Sequence, residues 1–153
     1  MPDTGQTAPD FTLPRDGGDQ ITLSALRPAP VVLFFYPRDD TSGCTREAIA
    51  FTALQGEFEA AGAHILGISK DTVARHDKFR DKHDLGVPLL SDAEADICEQ
   101  YGVWKEKSMY GKKFWGIERS TFLIDGSGQI ARVWRKVKVP GHAEEVLQAV
   151  NAL

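Results

Sequence analysis

Apolar positions change their period several times along the chain, and each change marks an element. Val31-Val32-Leu33-Phe34-Phe35-Tyr36 is an unbroken apolar run closed by Pro37, as expected of a central strand buried on both faces. Ahead of it, Phe11-Thr12-Leu13 and Gln20-Ile21-Thr22-Leu23 flank Asp16-Gly17-Gly18, which predicts an N-terminal β-hairpin. After a polar loop, Phe51, Leu54, Phe58 and Ala61 keep the three-and-four spacing of a helix that Gly62 stops. Residues 63–69 predict a second buried strand, and Asp71 or Thr72 caps a helix running to about His83. Leu89-Leu90 is a short strand ending at the capping pair Ser91-Asp92. Ile97 and Tyr101 then lie four apart on a helix stopped by Gly102. Ser120–Ile124 and residues 129–135 predict strands joined by the turn Asp125-Gly126-Ser127-Gly128. A last helix from about Ala143 carries Val146, Leu147, Val150 and Leu153 on one stripe. Strands alternating with helices predict one α/β domain over residues 1–153, with a central mixed sheet flanked by helices.

Composition narrows the class. The 153 residues are 42% apolar and 26% charged, and a domain of that length buries roughly 68–70% of its unfolded surface without staples. Two cysteines, Cys44 and Cys98, allow at most one bridge, which excludes a disulfide scaffold and predicts a reducing, cytoplasmic compartment. A net charge of -4 offers no basic field for nucleic acid or a membrane surface. The longest apolar run falls far short of the roughly 20 residues that span a bilayer. The opening Met1-Pro2-Asp3-Thr4-Gly5-Gln6 lacks the cationic start and apolar stretch of a secretory signal. Lys105, Lys107, Lys112 and Lys113 among Tyr110, Phe114 and Trp115 read, in an acidic domain, as a solvated basic loop with aromatic anchors. Neither a nucleic-acid nor a membrane partner is expected.

Chemistry concentrates after the central strand, where the chain reads Tyr36-Pro37-Arg38-Asp39-Asp40-Thr41-Ser42-Gly43-Cys44-Thr45-Arg46-Glu47-Ala48. Cys44 falls in the first turn of the next helix, past the carboxyl end of a buried strand, where open α/β sheets place their ligands. Unpaired N–H groups and the positive end of the helix dipole favour a thiolate there. A larger thiolate fraction gains about thirtyfold, or about 2 kcal/mol, which is too little for a fast enzyme. Charge on a leaving group must also be stabilised. A lone cysteine at a helix start is more often an inert apolar filler, and the neighbours shift that balance. Thr41 is placed to aim its hydroxyl at the sulfur and Pro37 to shield it, while Arg119 opens a strand expected to approach the same sheet end.

Pro37, Thr41 and Cys44 form the pattern Pro-x-x-x-Thr-x-x-Cys, which resembles the active-site signature of the peroxiredoxins. Tyr36-Pro37 through Gly43-Cys44-Thr45, with Glu47-Ala48, is similar to the subfamily called peroxiredoxin Q or bacterioferritin comigratory protein. Further matches follow in order along nearly the whole chain. They are Ala8-Pro9-Asp10-Phe11-Thr12-Leu13, Leu90-Ser91-Asp92, Tyr101-Gly102-Val103-Trp104, Arg119-Ser120-Thr121-Phe122-Leu123-Ile124-Asp125 and Gly141-His142-Ala143-Glu144-Glu145-Val146-Leu147. The resemblance implies a thioredoxin-like fold and a thiol-dependent peroxidase for hydrogen peroxide and small organic hydroperoxides. It implies that Cys44 is the peroxidatic cysteine, oxidised to a sulfenic acid. Arg119 would hold the thiolate and polarise the peroxide, Thr41 would hydrogen-bond both, and Pro37 would shield the site. Glu47 would orient Arg119, and the backbone N–H groups of Gly43 and Cys44 would donate. Recycling by thioredoxin or another dithiol reductant, no cofactor and a monomeric state also follow from the resemblance.

Many relatives carry a resolving cysteine five residues after the peroxidatic one, where this chain has Ile49. Others carry it in the helix expected at residues 72–83, which contains none. Cys98 is left with two readings. It is either an apolar filler against Tyr101 or a resolving thiol that local unfolding brings within the roughly 7 Å a bridge needs. Failing a bridge, an external thiol attacks Cys44 directly in a one-cysteine cycle. A thioredoxin-type oxidoreductase needs Cys-x-x-Cys, but Thr41 sits three before Cys44. A cysteine hydrolase needs a histidine base, and His64, His76, His83 and His142 lie in no recognisable context; His76 and His83, seven apart, read as solvated. A zinc site from Cys44, Cys98 and two histidines lacks every usual spacing, so no metal is expected. A peroxide sensor without sustained turnover is the alternative to the enzyme.

Overall fold

A computed structural model describes residues 2–153. In chain order it contains β1 (Thr12–Pro14), β2 (Gln20–Thr22), a 3-10 turn (Leu23–Leu26), β3 (Val31–Phe35), α1 (Ser42–Ala60), β4 (His64–Ser69) and α2 (Val73–His83). There follow β5 (Leu89–Ser91), α3 (Ile97–Gln100), β6 (Trp104–Met109), β7 (Lys112–Ile117), β8 (Ser120–Ile124), β9 (Ile130–Trp134) and α4 (His142–Asn151). The main sheet has the order β5-β4-β3-β8-β9. β3, β4 and β5 run parallel, whereas β8 is antiparallel to β3 and β9 to β8. This mixed sheet with helices on its faces is the thioredoxin-like arrangement, and β1–β2 adds the expected N-terminal hairpin.

The apolar run becomes the middle strand because each of its residues has a dry place to go. Val31, Leu33 and Phe35 enter one core with Phe11, Leu66, Cys98, Tyr101 and Phe122. Val32, Phe34 and Tyr36 enter a second core with Cys44, Phe51, Phe58, Phe79 and Val146. Alternation at period two makes these the two faces of one sheet. The β1–β2 hairpin and α3 cover the first face; α1, α2 and α4 cover the second. Gly67 on β4 makes room for the Phe34 ring, since a Cβ there would sit 2.7 Å from the ring carbon Cζ.

Two expectations change. Residues 104–118 hold a hairpin rather than a solvated loop, with β6 and β7 antiparallel about Tyr110 (φ 53) and Gly111 (φ 77). Both central residues are left-handed, as a two-residue turn matching the strand twist requires. Only Trp104 and Ile117, paired at its base, give it an apolar foothold, so alternation was not legible in the sequence. The buried stripe of α4 is Ala143, Val146 and Val150, while Leu153 lies past the helix end and is exposed.

Candidate active site

The β3–β8 register sets the site. Phe35 lies opposite Ser120, so the next residue along β8's approach, Arg119, meets the chain where it leaves β3 at Tyr36. The loop from Pro37 then turns at Asp40, a non-glycine residue at φ 61, and Thr41 in extended conformation starts α1. The Thr45 N–H donates to the Thr41 carbonyl at 2.8 Å, closing the first helical turn. Cys44 sits in that turn with its side chain buried. Arg119 is the residue before β8, not within it.

One guanidinium joins two acidic groups. Arg119 Nη2 donates to Cys44 Sγ at 3.3 Å, and Nη1 donates to Glu47 Oε1 at 2.8 Å. Glu47 follows Cys44 by three residues and so shares its helix face. Gly43 allows the close approach, because a Cβ there would lie 3.1 Å from Arg119 Nη2. Glu47 is 1% exposed and its Oε2 has no hydrogen-bond partner. Burial pushes its carboxyl up to about 7, against the pull of Arg119. For Arg119, burial opposes the charge, but Glu47 and Cys44 outweigh it and hold the guanidinium above its usual value.

The other expected residues are placed as follows. Pro37 is half-buried at the start of the loop. The Thr41 hydroxyl donates to the Arg38 carbonyl at 3.0 Å rather than pointing at the sulfur, because the turn at Asp40 brings that carbonyl within its reach. The N–H groups of Gly43 and Cys44 belong to the first turn, where no intrahelical acceptor exists.

Cys98 is far from this arrangement in the fold. It lies on α3 in the core beneath the opposite sheet face, fully buried beside Tyr101. Its N–H donates to Asp92 Oδ2 at 2.8 Å, and Asp92 is also held by Lys70 at 3.0 Å. Burial, followed by the Asp92 charge, pushes the Cys98 thiol far above its usual value.

Lys107 was not legible as part of the site. From β6 its Nζ donates to the Ile117 carbonyl, two residues before Arg119. Burial first, and then the Arg119 charge, pull its pKa down, while the Cys44 sulfur works the other way. A lysine in a solvated rim would show neither effect, and only the hairpin register brings it here.

The histidines are also redistributed. His76 is fully buried, not solvated, with both ring nitrogens bonded. His142 is buried against Thr121 at 2.8 Å, and burial pulls it down to about 4. His83 pairs with Asp40 at 2.9 Å, and His64 is exposed. Among the described residues no group of three or more His, Cys, Asp or Glu is placed to hold a metal, and no helix is long and apolar enough to cross a membrane.

Known proteins share this arrangement of the chain. The AhpC/TSA family matches residues 4–133. A putative peroxiredoxin bcp of Coxiella burnetii is 51% identical over 145 residues, covering 95% of this chain and 96% of that protein. Peroxiredoxin Bcp of Bacillus subtilis is 46% identical over 147 residues, covering 96% and 94%. A solved structure of Xanthomonas campestris bacterioferritin comigratory protein, studied for its alkyl peroxide reduction, superposes with a TM-score of 0.91 at 47% identity over 98% of both chains. BcpB of Mycobacterium tuberculosis gives a TM-score of 0.88 at 37% identity, covering 100% of this chain and 99% of that one.

Proposed function

The chain belongs to the AhpC/TSA family as a peroxiredoxin of the Bcp or peroxiredoxin Q type, and we propose a thiol peroxidase in which Cys44 reduces hydrogen peroxide and small organic hydroperoxides. The observation that carries this reading is the Arg119 guanidinium, bonded at once to the Cys44 sulfur and to Glu47. A cation fixed on the sulfur favours the thiolate and stands where negative charge grows on the departing oxygen.

In the reaction, the Cys44 thiolate attacks one peroxide oxygen. An S–O bond forms as the O–O bond breaks, the sulfur loses two electrons and the peroxide gains them. Hydroxide or alkoxide leaves and takes up a proton, and Cys44 becomes a sulfenic acid. Glu47 holds Arg119 in register, and Pro37 shields the sulfur. Thr41 reaches the peroxide by rotating its hydroxyl away from the Arg38 carbonyl, one staggered step about a single bond. The first-turn N–H groups at Gly43 and Cys44 add donors.

Reduction follows a one-cysteine cycle. Cys98 lies under the other face of the sheet as a protonated filler, so an external thiol attacks the sulfenic sulfur and expels water. The second thiol of a dithiol reductant, such as thioredoxin, then breaks the mixed disulfide and releases Cys44. We place the protein in the cytoplasm as a monomer, where reductant is at hand. Peroxide consumption sustained over many turnovers by a thioredoxin system, and absent in Cys44→Ser, is the expected result. A single stoichiometric oxidation would instead identify a sensor.

A further inference from the structure

His76 is buried beneath the active-site loop with a hydrogen-bond partner on each side. Its Nδ1 lies 2.6 Å from Asp39 Oδ2, and its Nε2 lies 2.9 Å from the Leu90 carbonyl on β5. The Tyr36 hydroxyl donates to the other Asp39 oxygen at 2.6 Å. A carbonyl only accepts, so Nε2 carries a proton; a carboxylate that already accepts from Tyr36 takes a second proton from Nδ1. Beside an ionised Asp39 an imidazolium satisfies both sides, whereas a neutral ring leaves one of these contacts without a hydrogen.

We propose that His76 is a positioning residue for Cys44: protonated on both nitrogens, it ties α2 and β5 to the loop that sets the start of α1. Asp39 stands two residues before the helix-starting Thr41 and five before Cys44. A second tie lies on the same helix, where Asp40, strained at φ 61, bonds Lys82 at 2.7 Å and His83 at 2.9 Å. α2 thus holds two successive loop residues, one by a buried pair and one by an exposed pair. The proposal rests on Cys44 being the reacting thiol.

The groups facing His76 come from every packed element. Tyr36 directly follows β3, Asp39 comes from the loop, the Leu90 carbonyl from β5, and Asp71 from the turn after β4. Asp71 accepts from the Asp39 N–H at 2.8 Å and the Ser69 hydroxyl at 2.7 Å, and pairs with Arg75 at 3.3 Å. Burial alone would pull the imidazole down, but the Asp39 contact outweighs it and holds His76 above its usual value. A raised histidine keeps its tie at low pH and loses it as pH rises through the folded-state value. The peroxide reaction is therefore expected to fall off on the alkaline side as the loop slackens.

Nitrogen NMR of the intact protein near neutral pH is expected to show both His76 ring nitrogens protonated. The same spectrum is expected in Cys44→Ser, so failure of the peroxidase reading leaves this outcome intact. His76→Gln is expected to slow Cys44 oxidation about tenfold, the scale of one lost charge-assisted hydrogen bond, and to abolish the alkaline fall. Asp39→Asn keeps the acceptor for Tyr36 and the packing but removes the negative charge, so it tests the charged pair if His76→Gln does not fold; it is expected to leave His76 protonated on Nε2 alone and to abolish the alkaline fall. A single neutral tautomer in the spectrum of the unmodified protein, or unchanged rate and pH profile in the folded variants, would overturn the proposal.

Discussion

Arg119 divides its charge between two acidic groups, and each sets a testable consequence. Replacing it with Met removes the cation from the Cys44 sulfur, and a loss of about 10²- to 10³-fold in the peroxide rate is expected by stopped-flow fluorescence. Glu47 is the more unusual partner, with one oxygen on Arg119 and the other unpaired in a dry site. A carboxyl raised from 4.5 to about 7 favours the fold while protonated, and that contribution fades as pH rises through this window. Glu47→Gln stays neutral, so its Tm is expected to gain on the unmodified protein between about pH 5 and about pH 8. A difference constant across that range would refute the assignment. Cys44 was nameable from the chain through the spacing of its motif, and Glu47 and Arg119 through the family resemblance. The direction of the Thr41 hydroxyl and the burial of His76 were not, since both depend on how the loop folds back.

At the scale of elements, α2 and the β6–β7 hairpin deserve separate predictions. α2 is capped by Thr72, whose hydroxyl accepts from the Arg75 N–H at 3.3 Å, and ends at Asp84 in the left-handed region. Thr72→Ala is expected to cost about 1 kcal/mol in urea unfolding. The hairpin exposes Tyr110, Trp115, Lys112 and Lys113 in an otherwise acidic protein, with Lys105 half-buried, and the half-buried Lys107 on β6 feels the charges of Arg119 and Cys44. Such a rim suits an acidic reductant. Reversing Lys112 and Lys113 to Glu is expected to slow reduction by a thioredoxin and weaken its salt dependence, with Cys44 oxidation unchanged; unchanged reductant kinetics would rule the rim out. Strands and helices with a clear apolar period were legible. The hairpin was not, because its polar and apolar residues come in clusters, Lys105-Glu106-Lys107 and Lys112-Lys113 beside Phe114-Trp115, with no period-two alternation.

For the whole molecule, the placement of two thiols in two cores matters most. Cys44 packs on the face covered by α1, α2 and α4, and Cys98 on the face covered by the N-terminal hairpin and α3. A bridge needs Cα atoms within about 7 Å, and the sheet with its side-chain layers stands between them. Mass spectrometry after one equivalent of peroxide, with a sulfenic-acid trap present, is expected to find Cys44 trapped and Cys98 reduced. A Cys44–Cys98 disulfide under native conditions would contradict a one-cysteine cycle. Cys98→Ala is likewise expected to retain turnover.

Local pattern alone determined the order of the elements with a clear apolar period, the central strand and the family resemblance that singles out Cys44, because period, turn residues and motif spacing are properties of neighbours in the chain. Tertiary structure decided the rest. It brought Arg119 onto Cys44 through a strand register, put His76 under the loop, drew Lys107 towards the site and set the two cysteines on opposite faces. Each of these is a contact between residues distant in sequence, and burial, which fixes charge and reactivity there, exists only once the sheet has closed over both cores.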